Sequence, residues 1–174
     1  MTTQTHIKSA LERSVQAVSL KPALGQRVYT NIATVEHGTI CRTVEKDQEI
    51  TVDVGKGMGG QDAGPTPSTL LRTALSSCIA IGIKLWASRE DVLIDKITVA
   101  VDTDVDARGI LAVSDDVTPG FGAISIAISV ESDAEADAIE RVIEKSFRYS
   151  TLLDVFCKPQ AVETAITINA PIAA

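Results

Sequence analysis

Aromatic side chains are scarce in this chain: Phe, Trp and Tyr together supply 3% of its 174 residues. A core must therefore be built from Ile, Val, Leu and Ala, and a hydrophobic content of 45% supplies them. The three cysteines, at positions 41, 78 and 157, are too few and too scattered for a disulfide framework or a zinc site. Basic residues number 16 against 23 acidic ones, and the net charge of −7 argues against nucleic acid or an anionic membrane as partner. The N-terminus lacks an apolar signal region, which predicts a cytoplasmic protein in a reducing compartment. With 22% charged residues, the chain reads as a soluble domain long enough to bury one good core.

The dominant feature is a glycine-rich loop, GKGMGGQDAGPTP, followed by the apolar run STLLRTALSSCIAIGIKLWASR. Thr66 and Pro67 mark a helix start: a hydroxyl N-cap, then proline where its missing N–H matters least. Leu71, Leu75, Cys78, Gly82 and Leu85 recur at helical spacing, and Ile79, Ile81, Ile83 and Trp86 cover most of the remaining surface. A helix apolar on nearly every side must be wrapped by other elements. Its length would also span a bilayer, but Arg72, Lys84 and several Ser and Thr residues are unfavourable at bilayer depth. The reading is a buried central helix, with Cys78 at its middle.

A helix is expected from about Thr5 to Val18, with Ile7, Leu11, Val15 and Val18 on its apolar face. Pro22 and Gly25 then break the chain, so residues 1–26 form an N-terminal helix and connection that docks on a single domain of residues 27–174. Residues 28–54 read as a three-stranded antiparallel meander turning at Glu36-His37-Gly38 and at Glu45-Lys46-Asp47-Gln48. Beyond the long helix, Ile97, Val99, Val101 and Val105 alternate along one strand, and Ile124, Ile126, Ile128 and Val130 along another. Residues 107–123 connect the two. Ser132 and Glu135 suggest a capping box for a helix that faces the core through Ala138, Ile139, Val142 and Ile143. YSTLLDVF continues or restarts that helix, and VETAITI is expected to close the chain as a strand. Strand runs separated by few helices indicate an antiparallel-rich α+β domain, not a doubly wound parallel sheet.

Several motifs compete for the chemistry. Gly55, Gly57 and Gly60 match G-x-G-x-x-G after a strand, but a dinucleotide fingerprint needs a helix opening on those glycines. Here Pro65 and Pro67 delay the helix, and no acidic residue follows about twenty positions on. Asp102, Asp104 and Asp106 alternate as at the start of a calcium loop, yet Ala107 replaces the turn glycine and Val113 the bidentate glutamate. Strand alternation accounts for them as a solvated face. His37 reads as a plain turn histidine, and Cys41 as a small buried side chain on a strand. Cys78 has two readings, an inert thiol on an apolar helix or a reactive one.

GPTPSTLLRTALSSCIAIGIKLWA resembles the central helix of the OsmC/Ohr family, the osmotically induced and organic hydroperoxide resistance proteins. In that family a glycine-rich loop and a proline-containing start lead into an Ala/Ser-rich segment carrying the peroxidatic cysteine. RYSTLLDVF resembles the family's second-helix motif, commonly Cys-Pro-Val-Ser followed by leucines, and the order of elements agrees over roughly residues 27–170. The resemblance implies an OsmC-like fold, with antiparallel-rich sheets packed around the long helix, in an intertwined homodimer whose active sites lie at the subunit interface. It further implies a thiol peroxidase with no metal and no cofactor, Cys78 being the nucleophile.

Departures from the family pattern shape the rest. Thr69 and Ser68 stand nine and ten positions before Cys78, where the family has an acidic residue, and Ser150 falls at the place of the resolving cysteine. The family's thiolate-stabilising arginine belongs to the early hairpin, here His37 to Thr39, leaving Arg42 and Arg148 as candidate cations. Cys157 and Cys41 are either alternative resolving thiols or inert ones. Two functions follow. One is a one-cysteine peroxidase for organic hydroperoxides, regenerated by an external thiol. The other is a small-molecule-binding dimer that kept the fold and cleft but lost the redox residues.

Overall fold

The computed structural model describes residues 3–169, so the last residues of the expected 27–174 domain lie outside it. Helix α1 (Thr3–Leu20) leads through a short 3-10 turn at Pro22–Gly25 into strands β1 (Ile32–Val35), β2 (Cys41–Glu45) and β3 (Gln48–Val52). The three pair as an antiparallel meander, with Cys41 between Val35 and Val52. The expected first strand is shortened, since residues 26–31 are irregular.

Helix α2 runs Pro67–Arg89, and its Thr66 N-cap hydroxyl accepts from the Thr69 N–H at 3.2 Å. Strands β4 (Lys96–Val105) and β5 (Phe121–Glu131) form a second antiparallel sheet, joined by a four-residue helix α3 (Ala107–Ile110) and turns. Helices α4 (Ala136–Arg148) and α5 (Thr151–Cys157) follow. The architecture is α+β, as the order of elements predicts.

One face of α2 organises the core. Leu75, Ile79, Ile83 and Ala87 recur every four residues and are all buried, together with Ile94 and Val142 of α4. Ile97, Val99 and Val101 of β4 and Ile126, Ile128 and Val130 of β5 pack against them, joined by Ile143, Leu152, Leu153 and Phe156. Each fully buried Leu or Ile side chain contributes about 2 kcal/mol by removal from water. Helix α1 lies against α2, tied by the Gln4 amide to the Val92 carbonyl at 3.3 Å and by a Lys8–Asp91 ion pair.

Four expectations are corrected. Within the chain, α2 is covered on one face only: Ile81 is 59% exposed, and Thr73, Ala74 and Ser77 face out with it. The alternation of β4 does not run through to Val105, because a bulge between Thr103 and Val105 leaves Asp104 unpaired and Val105 exposed. Ser132 does not cap α4; its hydroxyl donates to the Leu93 carbonyl and accepts from the Ala134 N–H, while Glu135 occupies the N-cap position without a side-chain bond. Residues 162–168 form no strand. They pair with no sheet edge among the described residues, and Val162, Ile166 and Ile168 are 82%, 85% and 91% exposed.

Candidate active site at the crossing of helices α2 and α4

Where α2 crosses α4, a cleft of about 420 Å³ opens beside Cys78. Its α2 wall carries Ala74, Ser77, Ile81 and Leu85, and its far end is closed by Trp86 and Tyr149. Those two rings stack with centroids 5.2 Å apart, an arrangement that adds rigidity to buried apolar area. Arg89 lies over Trp86 at 5.0 Å, and Arg148 over Tyr149 at 5.6 Å. The lining is mostly apolar, with Ser77, Ser146, Ser150 and Thr151 as its hydroxyl side chains, and each aromatic ring has an arginine against it.

Opposite the cysteine, the chain breaks between α4 and α5, and Ser150 caps the new helix. Its Oγ accepts from the Leu153 N–H at 3.3 Å and lies 3.7 Å from Cys78 Sγ. With a lone pair engaged by that N–H, the hydroxyl proton is free to point at sulfur. A thiolate there would receive one neutral donor.

One turn along, the same two helices meet again. Gly82 on α2 faces Ser146 on α4, and a Cβ built on Gly82 would stand 2.6 Å from Ser146 Oγ. Glycine thus permits the close crossing. Ser146 is 3% exposed, and its hydroxyl is the one buried side-chain oxygen or nitrogen without a partner among the described residues.

The other expected site residues are distributed as follows. Arg42 sits on β2, ion-paired with Glu49 at 3.1 Å, in a separate groove with Thr34, Glu36 and His37. Arg148 lies outside the cleft, in a surface groove with Arg141, Glu144 and Lys145. Cys157 ends α5 and is exposed, about 10 Å of helix from Ser150 at a rise of 1.5 Å per residue. Cys41 is half-buried in the meander. Among the described residues, only Cys78 and Ser150 of the six form a direct pair.

Sequence reasoning missed Ser146 and Asp53. The apolar face read for α4, through Ile139 and Val142, continues at helical spacing to Ser146; following the period four residues further would have exposed it. Asp53 is 1% exposed and accepts from the Thr39 hydroxyl at 2.6 Å and from the N–H groups of Val54, Gln61 and Ala63. These bonds hold its carboxyl down at about 2, the Thr39 hydroxyl first and the Gln61 N–H next, against the opposing effect of burial. The carboxylate folds the glycine-rich loop around itself. A side chain at Gly60 would stand 1.8 Å from the Val54 carbonyl oxygen, so this glycine serves backbone approach and not a phosphate.

A half-buried thiol in a mostly apolar cleft, met by a hydroxyl across a helix crossing in an α+β domain, makes a candidate cysteine-centred site. The family model for OsmC-like protein matches residues 59–165, more than half the chain, and the chain belongs to that family. An OsmC-like protein from Mycoplasma pneumoniae superposes with a TM-score of 0.66 at 16% identity, over 77% of this chain and 90% of that one. An organic hydroperoxide resistance protein from Elizabethkingia anophelis gives 0.56 at 16% identity, over 74% and 87%. The organic hydroperoxide resistance protein OsmC from Legionella pneumophila gives 0.53 at 15%, over 75% and 91%. At such identities these likenesses show the fold. No curated protein sequence matches the chain.

Proposed function

We propose that this chain is a one-cysteine thiol peroxidase for organic hydroperoxides. The observation that carries the reading is Cys78 at the mouth of an apolar cleft, with the Ser150 hydroxyl 3.7 Å from its sulfur. The Cys78 thiolate attacks the distal peroxide oxygen; an S–O bond forms and the O–O bond breaks, both its electrons going to the proximal oxygen. That oxygen leaves as alkoxide and takes up a proton to give an alcohol. Sulfur, oxidised by two electrons, is left as sulfenic acid. An external thiol condenses with it, releasing water, and a second thiol equivalent displaces the mixed disulfide to restore Cys78. Ile81, Leu85 and the Trp86–Tyr149 stack favour an organic over a bare peroxide. The organic hydroperoxide resistance proteins that share this fold support the same direction.

The site operates in a homodimer in this reading. The bare outer face of α2 and the unpaired alternating segment 162–168 are apolar surfaces that a second copy of the chain would cover. Solution mass near twice 18.4 kDa is expected; a monomer at micromolar concentration would remove this part. The setting proposed is cytoplasmic, with neither nucleic acid nor membrane as partner.

A second reading, a binding dimer without redox activity, draws on one observation: among the described residues no Lys, Arg or His lines the Cys78 cleft. Rates separate the two. Wild-type protein should react with cumene hydroperoxide far faster than free cysteine does, and Cys78→Ser should abolish the reaction without loss of fold. Oxidation no faster than a free thiol would install the binding reading instead.

A further inference from the structure

Ser146 is a buried polar group of the cleft that the proposed chemistry leaves unused, whereas Ser77 and Thr151 are exposed. Buried serines in helices ordinarily spend their hydroxyl on a carbonyl one turn back, as Ser88 does with Lys84 at 2.8 Å. Ser146 has no such bond, although it is as buried as Ser88 and stands in the last turn of α4. An unpartnered hydroxyl costs free energy, and one that lines the cleft is available to a ligand.

Geometry says where that partner would be. Cys78 and Gly82 both line the cleft, four residues apart on α2, which is about 6 Å along the axis. Ser150 faces the first and Ser146 the second. The position a Gly82 Cβ would take is 2.6 Å from Ser146 Oγ, too close for carbon but within O–H···O range. Ser146 Oγ has no free surface in the empty cleft, so engagement includes a rotation of its side chain toward the space above Gly82.

We propose that Ser146 is the hydrogen-bond donor to the leaving oxygen of the hydroperoxide, one turn of α2 from the attacking sulfur. The assignment rests on the peroxidase reading above. As the O–O bond breaks, negative charge gathers on the proximal oxygen, and the Ser146 hydroxyl, shielded from water, stabilises it there. The alkoxide takes up a proton from solvent as it leaves the cleft, and Ser146 keeps its own. Ser150 serves the nucleophile and Ser146 the leaving group.

Two rates on the intact protein distinguish these roles: Cys78 oxidation by cumene hydroperoxide, and Cys78 alkylation by iodoacetamide, which needs the thiolate but releases no alkoxide. Ser146→Ala should lower the peroxide rate by about 10²-fold, the scale of losing one donor to a developing oxyanion, with alkylation unchanged. Ser150→Ala should lower both. Equal losses of both rates in Ser146→Ala, or no loss of peroxide rate, would overturn the assignment. A wild-type rate no faster than free cysteine would remove the peroxidase reading and this one with it, a result visible before any variant is made.

Discussion

Asp53 and Ser146 are both more than nine-tenths buried, and the protein treats them in opposite ways. The carboxylate of Asp53 is met by one hydroxyl and three backbone N–H groups. The hydroxyl of Ser146 is met by nothing. A buried charge with four donors is complete, and its work is to fix the loop that delivers the chain to α2. A buried hydroxyl without a partner is incomplete, and its neighbours are a half-buried thiol, a glycine and an apolar cleft. The complete polar group holds architecture; the unpartnered one is where the proposed chemistry looks for a donor.

The larger effect is expected on the Asp53 side. Its folded-state carboxyl lies at about 2, below the ordinary 3.8, so the unfolded chain binds the proton more readily. The resulting stabilisation is fully present above about pH 4 and is lost as pH falls toward 2. Asp53→Asn presents an NH₂ to a cradle of donors. It should lower the urea midpoint at neutral pH and flatten its fall between about pH 4 and 2. If the two proteins lost stability in parallel across that window, the cradle would not be what stabilises the loop, and the comparison would lose its first half.

How far the sequence discloses these two regions depends on whether the signal is local. Thr66, Pro67 and the uninterrupted apolar period specify α2 to the residue, because capping and periodicity act within one element. The meander strands and the alternation of β4 and β5 are legible for the same reason. The Asp53 cradle joins residues 39, 53, 54, 61 and 63, and only folding of the loop brings their donors together. Ser132 shows the limit of a local motif: a capping-box spacing is satisfied on paper, yet a tertiary carbonyl at Leu93 takes the hydroxyl. Strand 162–168 shows another, since alternation marks a segment able to pair without saying with what. Resemblance identified Cys78 and Ser150; the period of α4 places Ser146 on the core face, and the crossing of two helices sets it against Gly82 with its hydroxyl unpartnered.

The smaller effect tests the other half of the comparison. Replacing a mid-helix glycine by alanine gains about 1 kcal/mol of helix stability where the side chain fits. At Gly82 a Cβ would meet Ser146 Oγ at 2.6 Å but Ser146 Cβ at 3.9 Å. Gly82→Ala alone should therefore gain less than this, because the hydroxyl must turn away. In Gly82→Ala/Ser146→Ala the collision is gone and carbon meets carbon at ordinary contact, so the gain should approach about 1 kcal/mol over wild type. The same double variant should reduce cumene hydroperoxide no faster than Ser146→Ala. Denaturant midpoints beside peroxide rates would check it. A double variant less stable than wild type would mean that the Ser146 hydroxyl already has structural work in the empty protein, which would make it another Asp53. A more stable and less reactive one would mean that the glycine and the orphaned hydroxyl are kept, at a cost to the fold, for what enters between them.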